Sequence, residues 1–158
     1  TFKGLDHHVV EIEALMQASP ETVVIIDHWG FFVQPATGFG ERAIVEESWA
    51  HLLRLGDTYP SLYVKLSGMF RNFSDSGDSG HGGGSSMEPR FQQLLSVFSS
   101  KRLLWGTDAP YSLDFGEYTT PMRTVESWAT WRELSESQKA DILHRNSEAI
   151  FGPWGGQE

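Results

Sequence analysis

Three short apolar runs constrain the fold more than anything else in this chain. Val23-Val24-Ile25-Ile26, Leu62-Tyr63-Val64-Lys65-Leu66 and Leu103-Leu104-Trp105 each break off into polar residues, at Asp27-His28, Ser67-Gly68 and Gly106-Thr107-Asp108 respectively. Runs of this length bounded by turn residues read as buried strands. The segments between them carry helical spacing instead. Val9, Val10, Ile12, Leu15 and Met16 form a stripe before the first run; Ala43, Ile44, Trp49, Leu52, Leu53 and Leu55 form one before the second; Phe91, Leu94, Leu95 and Phe98 form one before the third. Helix and strand in alternation predict an α/β fold built on a parallel sheet. All three strands then deliver polar side chains at the same end.

Composition narrows the partners. The 158 residues suffice for one core, and a formal charge of −9 with only 12 Lys+Arg argues against nucleic acid, whose binding draws on basic side chains. A small-molecule substrate fits better. No apolar run is long enough to span a bilayer and Thr1-Phe2-Lys3-Gly4 lacks a signal-peptide layout, so the expected location is cytoplasmic. With no cysteine, thiolate chemistry and Cys-type zinc sites are excluded, and any metal would need His, Asp or Glu.

Other segments read more plainly. Phe31 to Gly40, with Pro35 and Gly38, is expected to be a loop. Residues 74–86 are Ser, Gly and Asp with His81, too polar to offset their ordering entropy, and are expected to form a mobile loop inside one domain spanning 1–158. They lack the Gly-Lys-Ser/Thr of a phosphate cradle, and His81 reads as solvated. Ser135 and Gln138 match a capping box, and Gly152-Pro153 stops the last helix. His51 and His144 read as surface or packing residues, Asn146 and Ser147 as structural, and Trp49, Trp105, Trp128 and Trp131 as core or near-core. Arg102 reads as a rim cap or an exposed residue.

Strand parity sharpens the polar ends. Alternate residues share a face, which groups Val24, Ile26 and His28 in the first strand, Tyr63, Lys65 and Ser67 in the second, and Leu104, Gly106 and Asp108 in the third. His28, Lys65, Ser67 and Asp108 are thereby expected to line one interior. A barrel and an open doubly wound sheet both place a site there. Taken singly, His28 reads as a core histidine and Asp108 as a turn cap; two at matching strand ends favour function.

Four ordered stretches then carry a resemblance: Asp27-His28-Trp29-Gly30, Tyr63-Val64-Lys65-Leu66-Ser67-Gly68-Met69-Phe70-Arg71, Leu103-Leu104-Trp105-Gly106-Thr107-Asp108-Ala109-Pro110-Tyr111, and the segment from Ile142 to Gly152. The chain resembles the amidohydrolase-related metal-dependent hydrolases, in particular the branch of 2-pyrone-4,6-dicarboxylate and sugar lactonases. The resemblance implies a (β/α)8 TIM barrel in which these are strands six to eight. A complete barrel takes about 250 residues, so it implies the C-terminal part of one. The family's first-strand His-x-His is not in this sequence, where His7 and His8 are adjacent.

Roles follow from the resemblance. Asp108 would be general base and, in metal-dependent members, a metal ligand; His28 would ligate the metal or polarise the scissile carbonyl. One divalent metal such as zinc is implied, or none in the metal-independent lactonase branch. Arg71 would grip a substrate carboxylate with its guanidinium fork, though as a loop arginine it also reads as simply exposed. Lys65 and Ser67 would orient the substrate. The expected reaction is water attack on a lactone or similar acyl compound. A non-oxidative decarboxylase of the same family and an inactive remnant with an interaction role are the alternatives. Three strands cannot close a barrel, so the isolated chain is expected to be weakly active or inactive, and an oligomer or an N-terminal half is an expected partner.

Overall fold

The structure, a computed structural model, describes residues 4–35, 42–69, 87–115 and 117–153. A three-stranded parallel sheet lies at its centre, in the order β1 (Val24–Ile26), β4 (Leu62–Leu66), β5 (Leu103–Trp105). The register pairs Ile25 with Tyr63 and Ile26 with Val64, then Val64 with Leu103 and Lys65 with Leu104. Parallel neighbours need a crossover, and the helices supply it. Helix α1 (Val9–Ala18) precedes β1, α2 (Glu46–Thr58) leads into β4, and α3 (Glu88–Phe98) leads into β5.

One face of the sheet takes the helices. Leu62, Val64 and Leu66 alternate inward along β4 and join Leu103 in a core with Leu52 and Leu55 of α2 and Phe91, Leu94 and Phe98 of α3. Each such side chain contributes about 1.5–3 kcal/mol on burial. Gly56 is what lets α2 and α3 meet, since a Cβ there would stand 2.1 Å from Phe98 Cζ. Leu104 is also buried, yet it lies outside this core because the register turns it to the other face, beside Lys65.

The chain closes on short helices: α4 (Thr120–Ser127), α5 (Ala129–Glu133), α6 (Glu136–Ala140) and α7 (Asn146–Phe151), the last two joined by one π turn, Asp141–Arg145. The capping box at α6 is present, with Ser135 and Gln138 bonding reciprocally. Trp49, Trp128 and Trp131 are buried, and Trp105 is half-buried. Arg102 is the rim cap rather than a free residue: it donates to the carbonyls of Gly56, Tyr59, Leu62 and Val97 at the N-terminal end of the strands.

One expected loop is in part a hairpin. β2 (Val33–Pro35) pairs antiparallel with β3 (Arg42–Ile44), so Phe31 to Gly40 is not all loop and Ala43 and Ile44 belong to a strand rather than to the helix stripe. Proline is compatible with such a strand because a two-stranded ribbon has only edges. Residues 74–86, with His81, lie outside the described residues. Among the described residues no helix is long and apolar enough to cross a membrane.

Candidate functional site

The C-terminal ends of the three parallel strands bring Asp27, His28, Lys65, Ser67 and Asp108 together. Lys65 Nζ lies 2.9 Å from Asp27 Oδ2, and Ser67 Oγ donates to Asp27 Oδ1 at 2.7 Å. The same hydroxyl is 2.9 Å from His28 Nδ1, while His28 Nε2 faces Asp108 Oδ1 at 3.9 Å and Asp27 Oδ2 at 3.7 Å. The last two distances are too long for direct hydrogen bonds, and the gap toward Asp108 suits a bridging oxygen.

Gly106 makes the room. A Cβ there would press on Ser67 Cβ at 3.1 Å and on Lys65 Cδ at 3.4 Å, so its bare backbone lets both side chains stand against the neighbouring strand.

His28 reaches this site, but not by strand parity. Ile26 pairs with Val64, which faces the helices, so the residues on the polar face are Ile25 and, one step past the ladder, Asp27. Grouping His28 with Ile26 on the interior face was therefore incorrect. The strand ends at Ile26, and His28, Trp29, Gly30 and Phe31 all take positive φ, from 50° to 82°. Left-handed backbone is costly for three of those four residues, and burial of Trp29 offsets it. Its ring is fully buried against Phe91 and Trp128, with centroids 6.4 and 6.3 Å away. The turn exchanges the two side chains, sending Trp29 into the core and His28 back over the strand ends, where Phe31 packs edge-on against its ring at 4.7 Å. Asp108 also has positive φ, 64°, after β5 has ended.

Asp27 is the group that the sequence reading missed. Its available signal was its place opposite Lys65, once the register is shifted by one residue from the expected face. Partial burial pushes its carboxyl up, but the hydrogen bonds from Lys65 and Ser67, with the nearby His28 and Lys65 charges, outweigh that and hold it below the usual carboxylate range. It is therefore an anion at neutral pH, acting as an acceptor only.

Arg71 lies outside the described residues. His51 and His144 sit on helical turns and face Glu47 and Glu148 respectively. A divalent metal of the implied kind needs three or more side-chain or water ligands. Among the described residues no group of three or more His, Cys, Asp or Glu is spaced to hold one, and the Lys65 ammonium already sits on Asp27. His28 and Asp108 do not make a metal site by themselves.

Comparison with known proteins accords with this architecture. The amidohydrolase family profile matches residues 2–152. An amidohydrolase from Burkholderia multivorans, solved with bound zinc, superposes with a TM-score of 0.66 at 21% identity over 90% of this chain and 48% of its own. A protein from Pseudomonas putida, named provisionally as a 2-pyrone-4,6-dicarboxylic acid hydrolase, gives 0.62 at 23% identity over 91% of this chain and 49% of its own. The chain thus spans about half the length of the solved structures it matches, and its open three-stranded sheet is a portion of their TIM barrel. No curated protein matches it significantly.

Proposed function

Because the chain belongs to the amidohydrolase family, we propose that its strand ends supply part of a hydrolase site acting on a lactone or a related small carboxylated acyl compound. The observation that carries this reading is the approach of His28 Nε2 to Asp108 Oδ1, 3.9 Å apart, from the ends of two strands that are not neighbours in the sheet.

In the proposed reaction Asp108 takes a proton from water as its oxygen attacks the acyl carbon. The ring C–O bond breaks and Asp108 returns that proton to the leaving oxygen. His28 holds the reacting oxygen in the same gap. Lys65 and Ser67 act through Asp27, which keeps the floor of the site charged and rigid, and Arg71 grips the substrate carboxylate. Zinc, which the Burkholderia multivorans relative holds, would make bound water a better nucleophile near neutral pH, and its further ligands would have to come from outside the described residues. We extend the partial-barrel reading to a single domain, with the remaining strands supplied by an N-terminal half or an oligomer.

Hydrolysis of 2-pyrone-4,6-dicarboxylate and simple sugar lactones should be compared between the longest natural polypeptide carrying this chain and its Asp108→Asn form, alongside metal analysis. Ring-opened acid from the parent and little from the variant is the expected result. Equal turnover would remove Asp108 from the chemistry, and release of carbon dioxide would transfer the site to a decarboxylase.

A further inference from the structure

The hydrogen-bond order around Ser67 fixes something that the proposed function leaves open. Ser67 has one hydroxyl proton and two partners, Asp27 Oδ1 at 2.7 Å and His28 Nδ1 at 2.9 Å. A carboxylate can only accept, whereas a neutral imidazole nitrogen does either. A hydrogen bond to an ionised acceptor is roughly twice as strong as one between neutral groups, so the serine proton goes to Asp27. The oxygen of Ser67 then has only lone pairs left for His28. For the 2.9 Å contact to be a hydrogen bond, Nδ1 must carry the imidazole proton.

We infer that Asp27 and Ser67 form a positioning pair that holds neutral His28 as its Nδ1–H tautomer, with a lone pair at Nε2 facing the gap toward Asp108. The carboxylates near Nε2 do not reverse this. They stand 3.7 and 3.9 Å away, beyond hydrogen-bond length, while the Ser67 contact is within it. Which ring nitrogen is protonated is set by the bond that the other one makes.

The catalytic consequence rests on the hydrolase reading; the tautomer itself does not. A lone pair at Nε2 accepts a hydrogen bond and cannot give one. Neutral His28 would therefore hold the attacking water, or bind an electrophile, rather than polarise the scissile carbonyl. Asp27 touches neither water nor substrate in this scheme, and acts by controlling the proton of Ser67.

The two ring nitrogens can be read directly by ¹⁵N NMR of the full chain labelled at histidine, in alkaline buffer where imidazole rings are neutral. The expected signature is a protonated Nδ1 and a bare Nε2; a protonated Nε2 would overturn the inference. Asp27→Ala frees the hydroxyl proton of Ser67 to turn toward Nδ1, so the tautomer should invert to Nε2–H. Ser67→Ala deletes the acceptor for Nδ1–H and should invert it as well, which covers the case in which one variant fails to fold. Lys65→Met removes the ammonium but leaves the Asp27–Ser67–His28 chain, and should keep the parent signature. If Asp27→Ala and Ser67→Ala both retained Nδ1–H, the pair would have no hold on the ring. If the tautomer behaves as expected and no lactone is opened, the hydrolase reading falls while this one stands.

Discussion

The two ends of the same three strands use polar side chains in opposite ways. At the N-terminal end, Arg102 donates to four main-chain carbonyls at 2.8–3.2 Å, and Asn146 Nδ2 donates to the carbonyls of Ser100 and Leu103 at 2.7 and 2.8 Å. Those partners are backbone groups that burial would otherwise strand, so the side chains hold the fold together. At the C-terminal end, Asp27, Lys65, Ser67 and His28 bond mainly to one another, and the described bonds leave His28 Nε2 outside hydrogen-bond range of either carboxylate. Side chains that close on the backbone stabilise; side chains that close on one another can be recruited by a ligand.

The sharpest way to break this division is to move function and stability separately. Asp108→Asn should lower lactone hydrolysis by about 10²–10⁴-fold, the usual weight of a general base, and leave the urea midpoint nearly unchanged. Arg102→Ala should do the reverse. It strips donors from four carbonyls, of which that of Tyr59 keeps the Leu62 N–H; each of the others is worth about 1–3 kcal/mol if left dry, and water will reach some of them, so a loss on the order of 3 kcal/mol is expected in urea unfolding. The His28 nitrogen signals of the folded fraction should not move. An Arg102→Ala protein with intact stability would show that the N-terminal end is solvated rather than sealed. Asn146→Ala, with two carbonyls orphaned in a buried site, should cost about 1–3 kcal/mol by the same measurement.

The two ends also differ in how far the sequence reveals them. The strands and the helices α1, α2 and α3 were legible because apolar period alone distinguishes them, and the core residues Leu52, Leu55, Phe91, Leu94 and Phe98 follow from it. Asn146 was legible as structural, and Arg102 as either a rim cap or an exposed residue; the choice between the two was hidden because its four acceptors come from three separate chain segments. The sequence grouped His28, Lys65, Ser67 and Asp108 at the strand ends, and the structure places them near one another there. The face assigned to the first strand was wrong by one residue, which hid Asp27. Parity holds only while backbone stays extended, and no local pattern announces that His28, Trp29 and Phe31 will turn left-handed to bury one indole. The hairpin was hidden similarly, since Pro35 looks like loop until its strand is seen to have only edges.

Acid separates the ends more finely. Asp141 sits at the N-terminal end with its side chain 4% exposed; Asp27 at the other end is 39% exposed. Lys101 and Ser100 bond to Asp141 and hold it below the usual carboxylate range, with Lys101 the larger cause and burial opposing. Asp27 is lowered as well: burial is the largest single influence on it and opposes the shift, and the hydrogen bonds from Lys65 and Ser67 with the nearby charges outweigh it. For a carboxyl lowered on folding, the unfolded chain binds a proton at higher pH than the native one. Its stabilisation is complete above the ordinary aspartate range, near about 4, and is lost as pH falls through the folded value. Both residues should therefore steepen acid unfolding. The Asp141 carboxylate is the less solvated of the two, although its Lys101 partner is exposed, and it also accepts from buried Ser100, so replacing Asp141 with Asn should flatten the acid limb of a stability–pH curve more than Asp27→Asn does. A larger flattening from Asp27→Asn would mean that the C-terminal cluster carries fold stability after all, and the division between a sealing end and a reactive end would not hold.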